Sequence, residues 1–266
     1  MNKMKEYATM RKAQLKEKIQ ELNAQNKSEI WLLIIQVGDN EASNRYIRNK
    51  MKDCEEVGII AHHYKCPVET TTEELVDFII KYQNKYAGVI VQQPLPAHID
   101  QKAINCAIRP TKDVDGFHPL TKFKPATARG IIDYLEWREF PFEGKHAVVI
   151  GRSAIVGKPV AQMLTDKNMT VTVCHSKTPC IMLNRLVRQS HLVVCAVGCE
   201  HFLDCTDLTM PVVDVGINFN SKGKMCGDCY SLMGTTNDLV SPVPGGVGLL
   251  TRVALLENVV EAAYGN

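Results

Sequence analysis

Apolar and polar residues follow one another along this chain in blocks that predict alternating strands and helices. Short apolar runs, typical of strands buried on both faces, occupy residues 30–37, 87–92, 146–150, 170–174, 191–197 and 212–216, and a more polar run at 62–68 predicts a further strand. Helices are predicted at 1–27, 43–57, 71–85, 100–108, 126–137, 182–189 and 251–264, with another around residue 157. This alternation is typical of parallel sheets with helices on both faces, so the pattern predicts an α/β fold.

The overall composition excludes several classes of protein. The 266 residues are enough for two ordinary domains, and the strand–helix alternation starts afresh after residue 125. A formal net charge of +2 gives no bulk signal for nucleic acid or a membrane surface. No apolar run approaches the roughly 20 residues of a membrane helix, and residues 1–27 predict an amphipathic helix rather than a signal peptide.

Ten cysteines bear on the compartment and on metal binding. Several occur singly inside apolar runs, which indicates buried reduced thiols and a cytoplasmic protein. The exception is Cys226-Gly227-Asp228-Cys229, a spacing suited to zinc or redox chemistry, with Cys199, His201 and Cys205 as possible further ligands. Gly-Asp between the cysteines also suits a turn, and no second Cys-x-x-Cys follows, so we expect no metal.

The clearest sign of chemistry lies in the helix predicted after the first apolar strand. Ser43, Tyr46 and Lys50 are spaced i, i+3 and i+7, which puts them on one helix face. Lysine is the cationic side chain that burial converts most readily into a proton-transfer group. A solvated surface lysine is the plain alternative for Lys50.

A second site is predicted where the strand at 146–150 ends in Gly151-Arg152-Ser153 before a helix that contains Gly157. Free N–H groups at such a helix start suit a pyrophosphate, although a simple turn is the alternative. The next strand ends without the carboxylate that binders of NAD usually carry there. Ser176 and Lys177 stand there instead, and with Arg152 they suit a ribose phosphate, which favours NADP.

Six blocks then coincide in order from residue 30 to the C-terminus. They are Tyr46-x-x-x-Lys50, Val91-Gln92-Gln93-Pro94-Leu95-Pro96, Lys112-Asp113-Val114-Asp115-Gly116-Phe117, Gly151-Arg152-Ser153, Asp214-Val215-Gly216-Ile217-Asn218 and Pro242-Val243-Pro244-Gly245-Gly246-Val247-Gly248. Together they closely resemble the bifunctional methylene-tetrahydrofolate dehydrogenase/cyclohydrolase family.

The resemblance implies two α/β domains with a cleft between them: an N-terminal αβα folate-binding catalytic domain at 1–125, completed by a C-terminal helix at 250–266, and a doubly wound Rossmann-type NADP domain at 126–249. It implies NADP-dependent oxidation of methylene-tetrahydrofolate to the methenyl form, and hydrolysis of that form to formyl-tetrahydrofolate. It also implies a homodimer joined through the cofactor domains. Apolar runs at 192–195 and 212–213 are possible edge strands for such contacts, although central strands explain them as well.

The resemblance also assigns roles to particular residues. Lys50 would transfer protons and activate water, Gln92 would hold Lys50, Asp115 would accept hydrogen bonds from the pterin amino edge, and Tyr46 would stack on the folate rings. The further residues that it places against the folate are Val91, Gln93, Pro244, Gly245, Gly246, Val247 and Gly248. The residues that it places against NADP are Gly151, Arg152, Ser153, Ser176, Lys177 and Ile217.

The chain departs from the family pattern in several places. The segment 118–128 is shorter than usual, the opening strand with Asp-Gly is absent, and Leu249 replaces a proline. Three other hypotheses therefore stay open at this point: a shikimate-type NADP dehydrogenase, a folate- or nucleotide-binding relic without turnover, and a zinc-binding module around Cys226.

Overall fold

The computed structural model describes residues 2–26, 28–231 and 239–264. Met1, Lys27 and residues 265–266, which the predicted terminal helices included, lie outside the described residues. Within these limits the helices are α1 (Lys3–Asn26), α2 (Glu41–Val57), α3 (Thr72–Tyr82), α4 (Gln101–Ala107), α5 (Ala126–Trp137), α6 (Gly157–Asp166), α7 (Cys180–Arg188) and α8 (Val247–Tyr264). A short 3₁₀ helix, Gln83–Lys85, follows α3.

The longer strands are β1 (Ile30–Val37), β2 (Ile59–Cys66), β3 (Gly88–Val91), β4 (His146–Ile150), β5 (Thr170–Cys174), β6 (Leu192–Cys195) and β8 (Val212–Asp214). Four two-residue strands complete the set: β7 (Leu203–Asp204), β9 (Asn218–Phe219), β10 (Met225–Cys226) and β11 (Cys229–Tyr230). The chain forms two compact units, which are described separately. One comprises Thr9–Ala126 with Arg252–Asn266, and the other comprises Met1–Ala8 with Thr127–Thr251.

The first unit is built on a three-stranded parallel sheet in the order β2-β1-β3. Successive residues of β1 point to opposite faces of the sheet, so each face has its own apolar cluster. Leu32 and Ile34 pack on one face among residues of α1, α2 and α8, and Leu33 and Ile35 pack on the other among residues of α3 and α4. Burial on both faces explains why β1 is a continuous apolar run.

The second unit holds a four-stranded parallel sheet in the order β5-β4-β6-β8. Ala147 and Val149 of β4 pack on the face that α5 and α6 cover, whereas Val148 and Ile150 pack on the face of α7. The chain moves from β4 outward to β5 and then returns to the other side of β4 to form β6. The strand order therefore reverses between β4 and β6, which is the switch point of a doubly wound sheet.

Local signals fix most element ends. Asn40 caps α2 by accepting the N–H of Ser43, and Gly58 ends that helix with φ 90°. The Thr71 side chain caps α3, and Glu74 completes a capping box. The α/β class and its parallel sheets are as predicted.

Two element starts lie three or more residues from the prediction, and one strand has a different place in its sheet. β2 begins at residue 59 rather than 62, because its parallel register pairs Ile30 with Ile59. α8 begins at Val247, four residues earlier than predicted, so the end of the glycine-rich block forms its first turn. β6 is a central strand, which contradicts its use as a possible edge, whereas β8 is the last strand of its sheet and has a bridge from Val212 to Val240.

Candidate active site

Helix α2 presents the predicted polar face in the first unit. Ser43 is buried, and its hydroxyl donates to the carbonyl oxygen of Gln93 at 3.4 Å. Tyr46 and Lys50 are half-buried on the same helix. Burial raises the pKa of the Tyr46 phenol, and the positive charges of Arg252 and Arg45 oppose that rise. The face therefore starts against the loop after β3 and continues to a cation that is still accessible.

Lys50 acts on the half-buried carboxylate Asp115. Burial raises the pKa of Asp115, and the positive charge of Lys50 opposes this rise. Lys50 also opposes the rise of the Cys54 pKa, which burial and Asp53 bring to about 12. The Cys54 thiol, one turn from Lys50, is therefore protonated at neutral pH and cannot act as a nucleophile. Lys50 on this face and Asp115 in the segment after α4 are therefore the candidate reactive groups of this unit.

The residue after β3, Gln92, has a side-chain oxygen that can still accept a hydrogen bond. Val91 is buried, and the half-buried Gln92 donates its N–H to the Ile35 carbonyl at 2.8 Å. The Gln92 amide nitrogen donates to the carbonyl oxygen of the adjacent, half-buried Gln93 at 2.7 Å. The Gln92 Oε1 is buried, and no donor in the described part of the chain bonds to it. A buried acceptor without a donor is costly, so it indicates a partner that arrives from outside this set of contacts.

The segment that carries Asp115 is folded back on itself. Asp113 accepts the N–H of His118 at 2.7 Å, and burial raises the Asp113 pKa to about 6. The fully buried Asn258 of α8 donates to the carbonyls of Val114 at 2.8 Å and Lys124 at 3.1 Å. These contacts hold the backbone just before the shortened segment 118–128 and at one point within it, and they fix the backbone next to Asp115.

Arg252 is a charged group of this unit that the sequence analysis missed. Its guanidinium bonds the buried Asp53 carboxylate at 2.9 Å, and Lys12 bonds the same carboxylate at 3.3 Å. Asp53 lies seven residues after Tyr46, on the same side of α2. No sequence spacing links residues 53 and 252, so only the position of α8 could reveal the pair.

The glycine-rich block lies in the second unit. Pro244 is exposed, Gly245 has φ 96°, and Gly246 and Val247 are buried. The Asn2 amide donates to the Gly245 carbonyl at 2.6 Å, while the Asn2 oxygen accepts the N–H of Met4 at 3.0 Å and so caps α1. Gly248 is exposed in the first turn of α8, and a Cβ there would contact nothing within 4 Å among the described residues.

The predicted phosphate loop follows β4. Gly151 has φ 114°, and a Cβ there would lie 2.2 Å from the Ala196 carbonyl oxygen after β6, so only glycine fits. Arg152 and Ser153 are exposed. The Ser153 oxygen accepts the N–H groups of Val156 and of the first residue of α6 at 3.2 and 3.3 Å, so it also caps this helix. The N-terminus of α6 therefore opens at the carboxyl edge of the sheet, next to the switch point.

The structure brings the predicted phosphate-binding side chains to that same edge. Ile150 and Cys174 are register partners at the ends of β4 and β5, so Arg152 and the exposed turn with Ser176 and Lys177 follow adjacent strand ends. Ile217 follows β8, two strands from β4, and 45% of its surface is exposed. The edge therefore combines close backbone approach at Gly151, two cations and an exposed apolar side chain, a set that fits a dinucleotide phosphate.

The described residues contain no group of three or more His, Cys, Asp or Glu that could hold a metal ion. All ten cysteines are free thiols. None of the helices in the described ranges is long and apolar enough to cross a membrane.

Lys50 acting on Asp115 in one unit and a sheet edge that fits a dinucleotide phosphate in the other are typical of a two-unit α/β enzyme that uses a nucleotide cofactor. Family models agree and are more specific. Residues 3–115 match the tetrahydrofolate dehydrogenase/cyclohydrolase catalytic domain, and residues 125–266 match the NAD(P)-binding domain of the same family. The chain belongs to the tetrahydrofolate dehydrogenase/cyclohydrolase family.

Individual relatives support this membership over nearly the whole chain. Bifunctional protein FolD of Streptococcus pneumoniae is 41% identical, with 97% of this chain and 95% of the relative covered. A crystal structure of the bifunctional enzyme FolD from Campylobacter jejuni is 38% identical, covers 98% of this chain and 96% of its own, and has a TM-score of 0.89. A Trypanosoma brucei enzyme of this type, solved with NADP and an inhibitor, is 30% identical over 97% of this chain and 95% of its own, with a TM-score of 0.88.

The family predicted from the six sequence blocks is confirmed, as is the presence of an NAD(P)-binding domain. Membership of this family decides against the shikimate-type hypothesis. The departures at 118–128 and at Leu249 lie inside matches that cover 97% of the chain, so they are variations within the family.

Proposed function

We propose that this protein oxidises methylene-tetrahydrofolate to methenyl-tetrahydrofolate with NADP and hydrolyses the product to formyl-tetrahydrofolate. The observation that carries the proposal is that Lys50, on the α2 face that also bears Tyr46, places its positive charge on the Asp115 carboxylate of a different segment. Residues 9–126 with the C-terminal part of α8 form the folate-binding catalytic part in this proposal, and the second unit binds the cofactor.

Lys50 is the proton-transfer group in this proposal. Its amine is half-buried, and as the free amine it can take a proton from the water that attacks the methenyl carbon. The ammonium so formed can return that proton to the ring nitrogen that leaves when the ring opens. The Gln92 Oε1, buried and without a donor in the described part of the chain, is a suitable acceptor for the ammonium form. A bond between them would orient Lys50 and satisfy Gln92 in one step.

Asp115 and Tyr46 bind the substrate in this proposal. A carboxylate can accept two N–H bonds from the amino edge of a pterin. The half-buried Tyr46 presents an aromatic ring on the same face as Lys50, which suits stacking on the folate rings. Val91, Gln93 and residues 244–248 are further substrate contacts in the proposal, and the exposed, unpacked Gly248 supports close backbone approach there.

NADP, when bound, accepts the hydride from the methylene carbon. Gly151 and the start of α6 support a pyrophosphate at the edge of the second sheet, and Ser153 keeps that helix end capped. Arg152, Ser176 and Lys177 are the proposed ligands of the ribose phosphate, and Ile217 is an apolar wall of the site.

A spectroscopic assay tests the function directly. Purified protein is mixed with methylene-tetrahydrofolate and either NADP or NAD, and reduced cofactor is followed by absorbance. In a second cuvette, methenyl-tetrahydrofolate is supplied without cofactor, and its loss is followed. We expect reduction of NADP in the first and hydrolysis in the second. Folate and NADP binding without turnover in either assay would identify the protein as a binding relic.

We further propose that the protein is a homodimer joined through its second unit. β5 is at the edge of the four-stranded sheet, where it pairs only with β4 among the described strands, and Val173 on it is exposed. Helix α7 exposes Ile181 and Met182, of which Ile181 is 87% exposed. A symmetric partner would cover both the open edge and these apolar side chains.

Light scattering at micromolar concentration tests the dimer. We expect a mass of two chains for the wild type and a shift towards one chain for Ile181→Glu. Ile80→Glu, an equally radical change of an exposed isoleucine in the first unit, is the matched control. A single species with the mass of one chain for the wild type would exclude the dimer.

We also propose a cytoplasmic location, which the free thiols support.

A further inference from the structure

The Cys-x-x-Cys block, which the proposed function does not use, contains a carboxylate whose two oxygens both accept several hydrogen bonds. Asp228 is fully buried. Its Oδ2 accepts the N–H groups of Val197 at 2.6 Å and Gly198 at 3.0 Å. Its Oδ1 accepts the N–H of Cys199 at 2.9 Å and the side-chain amide of Asn218 at 2.9 Å. Three successive backbone N–H groups thus converge on one carboxylate, an arrangement that otherwise binds external anions.

The segment that Asp228 holds forms one side of the cofactor edge. Residues 197–199 directly follow Ala196, whose carbonyl is the atom that would clash with a Cβ on Gly151. Asn218, on the Oδ1 side, is adjacent to the exposed Ile217. Asp228 therefore ties the loop after β6 to the loop after β8, across the two strands beyond the switch point.

A second carboxylate keeps Asp228 in place. Asp214, at the end of β8, accepts the N–H groups of Asp228 at 3.0 Å and Cys229 at 2.9 Å. Gly227 passes so close that a Cβ there would lie 1.9 Å from the Asp214 Oδ2. Gly227 is thus required by this close approach and Asp228 by its hydrogen bonds, whereas the sulphurs of Cys226 and Cys229 make none of these backbone contacts.

We propose that Asp228 is a positioning residue for the nicotinamide cofactor. It sets the backbone of residues 197–199 and the position of Ile217, so that the crevice between the ends of β4 and β6 has the width that a dinucleotide needs. It acts through these loops and does not touch the cofactor. This inference rests on the proposed NADP-dependent function.

The test is Asp228→Asn, which keeps the shape of the side chain but replaces one acceptor oxygen by an N–H₂ group facing backbone donors. We expect the dissociation constant for NADP, measured by titration calorimetry on the otherwise intact protein, to rise about tenfold or more because buried N–H groups lose their acceptor. Hydrolysis of methenyl-tetrahydrofolate, which consumes no cofactor, should keep its kcat/KM. Amide hydrogen exchange should accelerate at residues 197–199.

Two matched controls and a milder variant define the outcome. Asp204→Asn changes an exposed carboxylate of the same unit, and Cys226→Ser removes a thiol of the same block; both should leave NADP affinity unchanged. If Asp228→Asn does not fold, Asn218→Ala removes a single amide, which donates to the Asp228 carboxylate and to the Gly227 carbonyl, and should weaken NADP binding about threefold. A folded Asp228→Asn, or failing that Asn218→Ala, with wild-type NADP affinity overturns the inference, even if its melting temperature is lower. A wild-type protein that does not bind NADP overturns the proposed function and this inference together.

Discussion

Gln92 and Asp115 of the first unit differ from Asp214 and Asp228 of the second in how completely their oxygens are hydrogen-bonded. In the first unit, Gln92 keeps an acceptor atom without a donor in the described chain, and Asp115 balances burial against a nearby ammonium. In the second unit, the oxygens of Asp214 and Asp228 are filled by backbone N–H groups and an amide. Carboxylates whose oxygens accept several backbone hydrogen bonds hold that backbone in place. A buried oxygen that accepts none in the described chain can accept one from a substrate or from a moving side chain. The proposed function follows this comparison, because it gives Gln92 and Asp115 contacts with reacting groups and gives Asp214 and Asp228 a supporting role.

Lys50→Met should give the largest effect, because it removes the only proton-transfer group in the proposal. We expect methenyl hydrolysis to fall about a hundredfold or more, with NADP affinity and the free energy of unfolding nearly unchanged. Lys52→Met, an exposed neighbour on α2, is the control and should retain activity. If Lys50→Met hydrolyses methenyl-tetrahydrofolate at the wild-type rate, Lys50 is not the proton-transfer group.

Cofactor choice tests whether the exposed cations of the second unit act on a ligand. A charge-assisted bond to the ribose phosphate contributes about 1.5 to 3 kcal/mol, so NADP should be preferred over NAD by roughly ten- to a hundredfold in kcat/KM. Lys177→Ala should remove much of this preference by weakening NADP alone. Lys222→Ala, an exposed lysine of the same unit, should not. Equal efficiency with both cofactors in the wild type would show that Arg152, Ser176 and Lys177 are solvated surface groups.

Asp115→Ala should weaken folate binding and turnover and leave NADP binding unchanged. An amino edge of the substrate that loses its acceptor costs about 1 to 3 kcal/mol. The matched control is Asp77→Ala, which removes an exposed carboxylate of α3 in the same unit. Wild-type folate affinity and turnover in a folded Asp115→Ala variant would show that the Asp115 carboxylate does not bind the substrate.

Asp113 should affect stability rather than chemistry, and its effect depends on pH. Burial raises its pKa from 3.8 to about 6, so between these values the folded state binds more protons than the unfolded state. Its contribution to the free energy of unfolding therefore falls as pH rises from about 4 to 6, by at most about 1.4 kcal/mol per pH unit. Urea unfolding of Asp113→Asn and wild type at pH 4.5 and 7 measures this. The free energy of unfolding of the variant, relative to that of the wild type, should be greater at pH 7 than at pH 4.5. The same difference at both pH values would contradict the raised pKa of Asp113.

Local sequence determined much of the fold. The apolar runs of β1, β4 and β5 and the periodicity of α5 were sufficient to predict these elements with their observed bounds. Such runs bury both faces of a strand, and caps such as Thr71 act within four residues, so their signals are contained in short windows. The order of six motifs was enough to predict the family, because each motif is a contiguous segment.

The tertiary structure alone decided which polar groups meet. Asn258 holds the carbonyl of Val114 from 144 positions away, Arg252 pairs with Asp53 from another helix, and Asp228 reaches three N–H groups about 30 residues earlier. In the sequence, Asp228 stood between two cysteines and suggested a turn or a metal site. A side-chain bond to a distant backbone leaves no periodicity and requires no residue type at the partner, because every residue except proline offers an N–H and every residue a carbonyl. The sequence therefore determined the strands, the helices and the motifs that carry the proposed reacting side chains, and the packing of the sheets determined which distant backbone groups the buried carboxylates bond.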